Sequence, residues 1–361
     1  YREELINNNN NIRQNEQSLS IEVCDLETQD SRAVYKNFRL DMRQYENIEM
    51  FVHLESLLNE NPVQDNEVVA FIRMGTDLTQ NFYQIELPLT PSAFNTSSPD
   101  LIWPEANRLK LPLEVLETVK ATFFNGSFNT LQDQITYFDQ DGNPIADPAG
   151  TPYETGRVRV GIKGNPSFGD VRLLMLGVKN GNDEGGRTVC AETWFNELRL
   201  SGLQNQGGWA GILNLDANLA DFATVSGTAR QSTIGFGSID AGPNQRARED
   251  VKSYDVVSNV ELGQLLPKKW GVKVPFNYAK GNQTITPQYD PLYTDIKLEQ
   301  SLANAANAAA RDSIENVAIE RTTRESINFI GVRKERTGDK KPMPWDVENL
   351  TFAYSHNNSK W

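Results

Sequence analysis

Histidine and cysteine are nearly missing from these 361 residues, which hold two of each. His53 and His356 stand far apart in strand-like text. Glu55 shares a strand face with His53, but no third ligand follows, and His356 has no cysteine or carboxylate at ligand spacing. Both read as surface or structural residues. A nucleophilic triad needs a positioned base, and two histidines leave little choice. No catalytic constellation stands out, so no enzyme activity is expected. Cys24 and Cys190 are too few for a disulfide scaffold or a structural zinc site. Two readings of them stay open: a disulfide if their strands pair, or two buried free thiols.

Long hydrophobic runs are also lacking. No stretch approaches the ~18 apolar residues of a membrane helix, which excludes helical spans but not a transmembrane barrel, whose strands alternate. A basic surplus is absent: the formal net charge is −13. That argues against nucleic acid and against anionic membrane surfaces as partners. There is no initiating Met and no signal peptide ahead of Tyr1, so a processed product or a fragment is expected. "GIKGNPSFGD" scatters its glycines without a GxGxxG before a helix, so phosphate binding is not expected, and no cofactor is implied. In "FDQDGNPIADPAG", Asp139, Asp141 and Asn143 recur at every second residue as in calcium loops. Position 12 of such a loop is Gly150 rather than Glu, and hairpin chemistry explains Asp141-Gly142 without a metal.

Strands are what is present. Residues 1–18 hold a low-complexity asparagine run and read as a disordered tail or linker. Residues 19–202 offer short alternating stretches punctuated by Gly, Asn, Asp and Pro. One is "NIEMFVHLES", with Ile48, Met50, Val52 and Leu54 on one face. That spacing predicts a jelly-roll-like β-sandwich. Leu113, Leu116, Val119 and Phe123 predict one inserted helix near 113–125. Trp103, Trp194 and Phe195 are candidates for a sugar-binding face, although strand aromatics are more often core.

Residues 203–361 change texture. Leu213 and Leu215 oppose Asn214, Asp216 and Asn218; Val256 and Val260 oppose Asn259 and Glu261. Trp270, Val272, Val274, Phe276 and Tyr278 alternate with residues that include Lys273 and Asn277. These segments have the length of tilted membrane strands, and several carry Trp or Tyr near an end. Short links near 220–221, 263–269 and 334–344 alternate with long ones at 231–253 and 279–325, the rhythm of an outer-membrane barrel. A second soluble sandwich would give similar alternation. Pro275 removes a ladder donor and suggests a bulge or an edge. A helix is expected at about 295–319. So few strands cannot close a barrel, so a barrel requires most of its wall outside this chain.

An ordered set of stretches resembles the SprA family (called Sov in some members), the outer-membrane translocon of the type IX secretion system in Bacteroidetes. The set is "RAVYKNFRLDMRQY", "EMFVHLES", "GNPSFGDVRLLMLGVKN", "WFNELRLSGL", "GGWAG", "ADFATVSGTAR", "GFGSID", "ELGQLLPKKWGVKVPF" and "TPQYDPL", and spans most of residues 20 to 300. The resemblance implies an all-β chain, a sandwich followed by antiparallel strands of a very large transmembrane barrel. It implies an outer-membrane conduit for folded cargo proteins bearing a C-terminal secretion signal domain, and a role in gliding motility. Implied partners are a small barrel shuttle protein, a periplasmic plug protein and membrane lipid. On this reading Leu213, Leu215, Val256, Val260, Trp270, Val272, Val274, Phe276 and Tyr278 face lipid. Asn214, Asp216, Asn218, Asn259, Glu261, Lys273 and Asn277 then face the lumen. The rival expectation is a soluble two-sandwich surface protein that binds glycans or acts as an adhesin.

Overall fold

The computed structural model describes residues 2–6, 10–14, 17–57, 61–93, 96, 98–125, 133–183, 185–242, 245–338, 341 and 343–361. The chain divides into two compact units, Tyr1–Gln204 and Asn205–Trp361.

The first unit opens with a correction to the expected disordered tail. β1 (Arg2–Ile6) and β2 (Asn10–Gln14) form an antiparallel hairpin in which Ile6 lies opposite Asn10. The two short runs either side of 7–9 pair in register. Ten further strands follow: β3 (Leu19–Leu26), β4 (Ser31–Leu40), β5 (Asn47–Ser56), β6 (Val68–Gly75), β7 (Phe82–Pro88), β8 (Arg108–Pro112), β9 (Thr136–Phe138), β10 (Arg159–Lys163), β11 (Val171–Asn180) and β12 (Val189–Ser201). One sheet has the order β3-β12-β5-β8, and the other β4-β11-β6-β7-β10-β9. Successive strands cross repeatedly between the sheets, which is the jelly-roll winding.

The period-2 pattern places the core. Ile48, Met50, Val52 and Leu54 of β5 are buried, and so are Tyr83, Ile85 and Leu87 of β7. The inserted helix is Leu113–Asn125, and its Leu113, Leu116, Val119 and Phe123 join the same core. Between β3 and β12 the register slips by one residue, and there Cys24 and Cys190 are joined as a disulfide, so no free thiol remains.

The second unit is a single antiparallel sheet. Its strands are β13 (Ala210–Leu219), β14 (Ala223–Ser232), β15 (Glu249–Glu261), β16 (Val272–Lys273), β17 (Pro275–Pro287), β18 (Glu320–Lys334) and β19 (Thr351–Lys360). The pairing runs β13-β14-β15-β17-β18, with β19 on the far side of β18 and the short β16 against its end. Among the described residues the sheet does not close. Among the described residues, β13 and β19 each have one neighbour.

Two expectations are corrected here. Lys268–Trp270 is a 3-10 turn that ends at Gly271 in the left-handed region, so Trp270 is not part of a strand. The strand begins only at Val272 and breaks at Val274. Residues 330–332 of β18 then stand against only 274–275, between the pairs Lys273–Arg333 and Phe276–Phe329. That break is the bulge Pro275 called for, with Gly331 at φ +85° supplying the extra residue. The helix expected at about 295–319 is two helices, Leu298–Ala303 and Ala308–Ala318. Asn307 ends the continuity because its side chain caps the second helix, accepting from the Ala310 amide.

Candidate functional site

Residues directly opposite in an antiparallel pair share a face. Leu219, Ala223, Val260, Phe276, Phe329 and Tyr354 therefore form one line across six strands. The same face carries Leu213, Leu215, Val225, Val256, Tyr278 and Ile327. Among the described residues, no second layer covers it within this unit. Leu213 and Leu215 are 69% and 61% exposed, and none of Val256, Val260, Val272, Val274, Phe276 and Tyr278 is buried. The Phe276 and Phe329 rings lie 5.0 Å apart as lateral neighbours.

Asn214, Asp216, Asn218, Asn259 and Asn277 share the opposite face. Here the structure shows what alternation alone did not. Thr224, Asn259, Asn277, Asn328 and Ser355 are consecutive cross-strand partners, and their side chains are hydrogen-bonded in series. Asn277 Nδ2 donates to Asn259 Oδ1 at 2.7 Å, and Asn328 Nδ2 donates to Asn277 Oδ1 at 3.0 Å. Ser355 Oγ donates to Asn328 Oδ1, and Asn259 Nδ2 to Thr224 Oγ1 at 3.4 Å. Hollows of about 490, 400 and 270 Å³ open mainly on this polar face. Glu261 is spent on the turn, its Oε1 accepting from the Val274 amide at 2.8 Å. Lys273 sits at the sheet's end, not mid-strand, and pairs with Glu335 at 2.7 Å.

The apolar face is bounded. On β17 it runs through Phe276 and Tyr278, then turns polar at Lys280, Asn282 and Thr284. On β18 the matching switch falls between Ile327 and Glu325. Trp209, Tyr254, Tyr278 and Tyr354 mark its upper limit on the first, third, fourth and sixth strands of the sheet, at positions that fall from one to the next against the hydrogen-bonded lines. A level boundary crosses tilted strands in that way. The polar ends lead into loops 233–248 and 288–319; the apolar ends lead into the tight turn at 220–222 and into 262–271 and 335–350.

The sandwich holds the other sequence candidates. Asp139 accepts from the amides of Asp141 and Asn143 and from the Asn143 side chain, as a turn-forming aspartate does. Burial pushes that carboxyl up, but these hydrogen bonds outweigh it and hold it below its ordinary value. Trp103, Trp194 and Phe195 do not line one surface. Phe195 is in the core, while Trp103 and Trp194 pack on His53, whose ring centroid is 5.9 and 4.6 Å from theirs. His53 is buried, with Nδ1 2.6 Å from the Ile102 carbonyl. His356 lies exposed on β19 opposite Ile327.

Sequence reasoning missed one cluster entirely. Glu86, fully buried on the outward side of β7, accepts from Tyr153 at 2.6 Å, Tyr137 at 3.0 Å and Gln84. Lys179 Nζ lies 2.8 Å from it. Its partners come from segments far apart in sequence, so no local spacing could announce it.

Residues 1–302 match the SprA_N family, described as a motility-related/secretion protein. The chain belongs to the SprA family. No curated protein matches it. The SprA_N match takes in the whole sandwich and β13 to β17, and ends within the loop that follows. SprA is a family of secretion and motility, not of enzymes.

Proposed function

We propose that residues 205–361 are a stretch of the wall of an outer-membrane, protein-conducting channel of type IX secretion, and that residues 19–202 are an extramembrane domain attached to it. One observation carries the reading: a single uncovered sheet with one apolar face and an opposite face that is polar but uncharged over most of its lower half. A soluble sheet with that face exposed would be an aggregation hazard, whereas lipid requires it. A soluble two-sandwich protein needs a second sheet over Leu213, Leu215 and Val256, and this unit supplies none among the described residues.

The open edges of β13 and β19 are consistent with strands outside residues 1–361 completing the wall. The resemblance to the translocon supplies the rest. The channel passes folded cargo proteins with a C-terminal signal domain, supports gliding motility, and works with a small barrel shuttle and a periplasmic plug. It needs no catalysis.

The test is thiol labelling in the intact, membrane-embedded protein. Because Cys24 and Cys190 are joined, single cysteines can be introduced without a reactive background. Cysteines replacing Leu215, Val256 and Phe276 are expected to react with a lipid-soluble reagent and resist a water-soluble one. Cysteines replacing Asn259, Asn277 and Asn328 are expected to do the reverse. Resistance of the first set to both reagents means that protein covers the face, and the channel reading of this unit is then wrong.

A further inference from the structure

Beyond the aromatic boundary the apolar face becomes basic, one step past it on β15 and β17 and three steps past it on β18 and β19. On β15, Tyr254 is followed on the same face by Lys252; on β17, Tyr278 is followed by Lys280. Arg321 of β18 lies opposite Thr284, which lies opposite Lys252. Lys360 of β19 lies opposite Thr323. All four cations are exposed. Acidic residues on this stretch of the face are Asp250, whose Oδ1 accepts from the Ile234 amide, and Glu325, which accepts from the Tyr278 hydroxyl at 3.0 Å. Arg321 has a partner in Glu315 at 3.6 Å. The patch is basic in a chain whose net charge is −13.

An aromatic line followed by exposed cations is the order of layers at the edge of a bilayer. The rings lie at the interface, and lysines one step further meet the headgroups. Phosphate on a headgroup is matched by ammonium, guanidinium and hydroxyl donors. Lys252, Thr284 and Arg321 set these on the same face of three neighbouring strands. From this continuity with the apolar band and from the charge, we infer that Lys252, Lys280, Arg321 and Lys360 form a binding surface for phosphate-bearing anionic lipid headgroups. The surface lies on the side of the wall that carries loops 233–248 and 288–319. The inference rests on the wall reading above and adds the lipid class and the leaflet side to it.

The test uses the full-length protein in detergent. A donor fluorophore on Thr286→Cys is paired with headgroup-labelled phosphatidylglycerol, and energy transfer reports binding. Native protein is expected to take up phosphatidylglycerol in preference to phosphatidylcholine. Each Lys→Gln change at 252, 280 and 360 is expected to weaken uptake about fivefold, and the triple variant about a hundredfold. The triple Lys→Arg variant keeps the charge and is expected to bind as native, which separates headgroup binding from damage to the fold. Equal uptake by the native and triple Lys→Gln proteins overturns the inference. Equal uptake of phosphatidylcholine overturns it as well. Displacement of the lipid by inorganic phosphate alone shows a free-anion site and overturns the lipid assignment. If the wall reading itself is wrong, neither lipid gives transfer, and cysteines at Leu215 and Val256 escape the lipid-soluble reagent. That pattern differs from wall labelling intact with headgroup preference lost.

Discussion

Glu86 shows how one residue can hold a surface segment in place. Burial pushes its carboxyl up, yet the Lys179 ammonium and the hydrogen bonds from Lys179, Tyr153 and Gln84 outweigh that and hold it below the ordinary carboxylate range. A folded-state value below the unfolded one gives stability that is complete above the unfolded pKa, about 4.3, and is lost as pH falls through the folded value. Acid unfolding of the sandwich is therefore expected to carry a contribution from this group. Glu86→Gln should flatten that acid limb. It should also lower stability at neutral pH by about 3 kcal/mol, because Lys179 loses its buried anion. Denaturant titrations of both proteins at pH 7 and near pH 4 measure the two effects. An unchanged acid limb in the variant would show that Glu86 does not contribute. His53 was legible as structural from the absence of ligands around it; Glu86 was not, because Lys179 and Tyr153 reach it only in the fold.

At the scale of elements, the sequence is readable wherever apolar period and backbone period coincide. The helix Leu113–Asn125 and the inward face of β5 follow directly from spacing. Trp270 misleads because the apolar alternation runs on through a 3-10 turn. Period 2 in the letters does not make the backbone extended when Gly271 stands in the left-handed region. In "SINFIGVR", the strand-like stretch that becomes β18, the phase is what misleads: the bulge at Gly331 shifts it, so Phe329 and Val332 share a face three residues apart. β15, β17 and β18 run to 13, 13 and 15 residues, and their polar ends carry no alternating signal to read. The bulge gives a test. A Cβ at Gly331 meets nothing within 4 Å, so Gly331→Val is penalised only through its φ of +85°, by roughly 1–2 kcal/mol. Amide exchange over residues 351–354 is expected to speed by about tenfold as β19 loosens from β18. Exchange at the native rate would mean that the positive φ is not what holds the bulge.

For the whole molecule, the two units draw on different sources of stability. The sandwich has a continuous core and one covalent tie, between its first strand and its last. The bond spans 166 residues of sequence, so it restricts the unfolded chain over nearly the whole sandwich. Cys24→Ser or full reduction is expected to lower sandwich stability by about 2–4 kcal/mol, read as a shift in denaturant midpoint by near-ultraviolet circular dichroism. A midpoint that ignores reductant would show that the tie adds nothing. Its pairing was open in the sequence because β3 and β12 meet only through the topology. Among the described residues the second unit has no such core, and its strands are held by their lateral hydrogen bonds.

The series Thr224, Asn259, Asn277, Asn328 and Ser355 contains no group that ionises near neutrality. It holds no counter-ions and has no proton to gain or lose. Cohesion across those five strands should therefore be the same in dilute buffer and in brine, in mild acid and in mild alkali. An ion-paired girdle in the same place would stiffen or slacken with every change of its surroundings; this one keeps its shape.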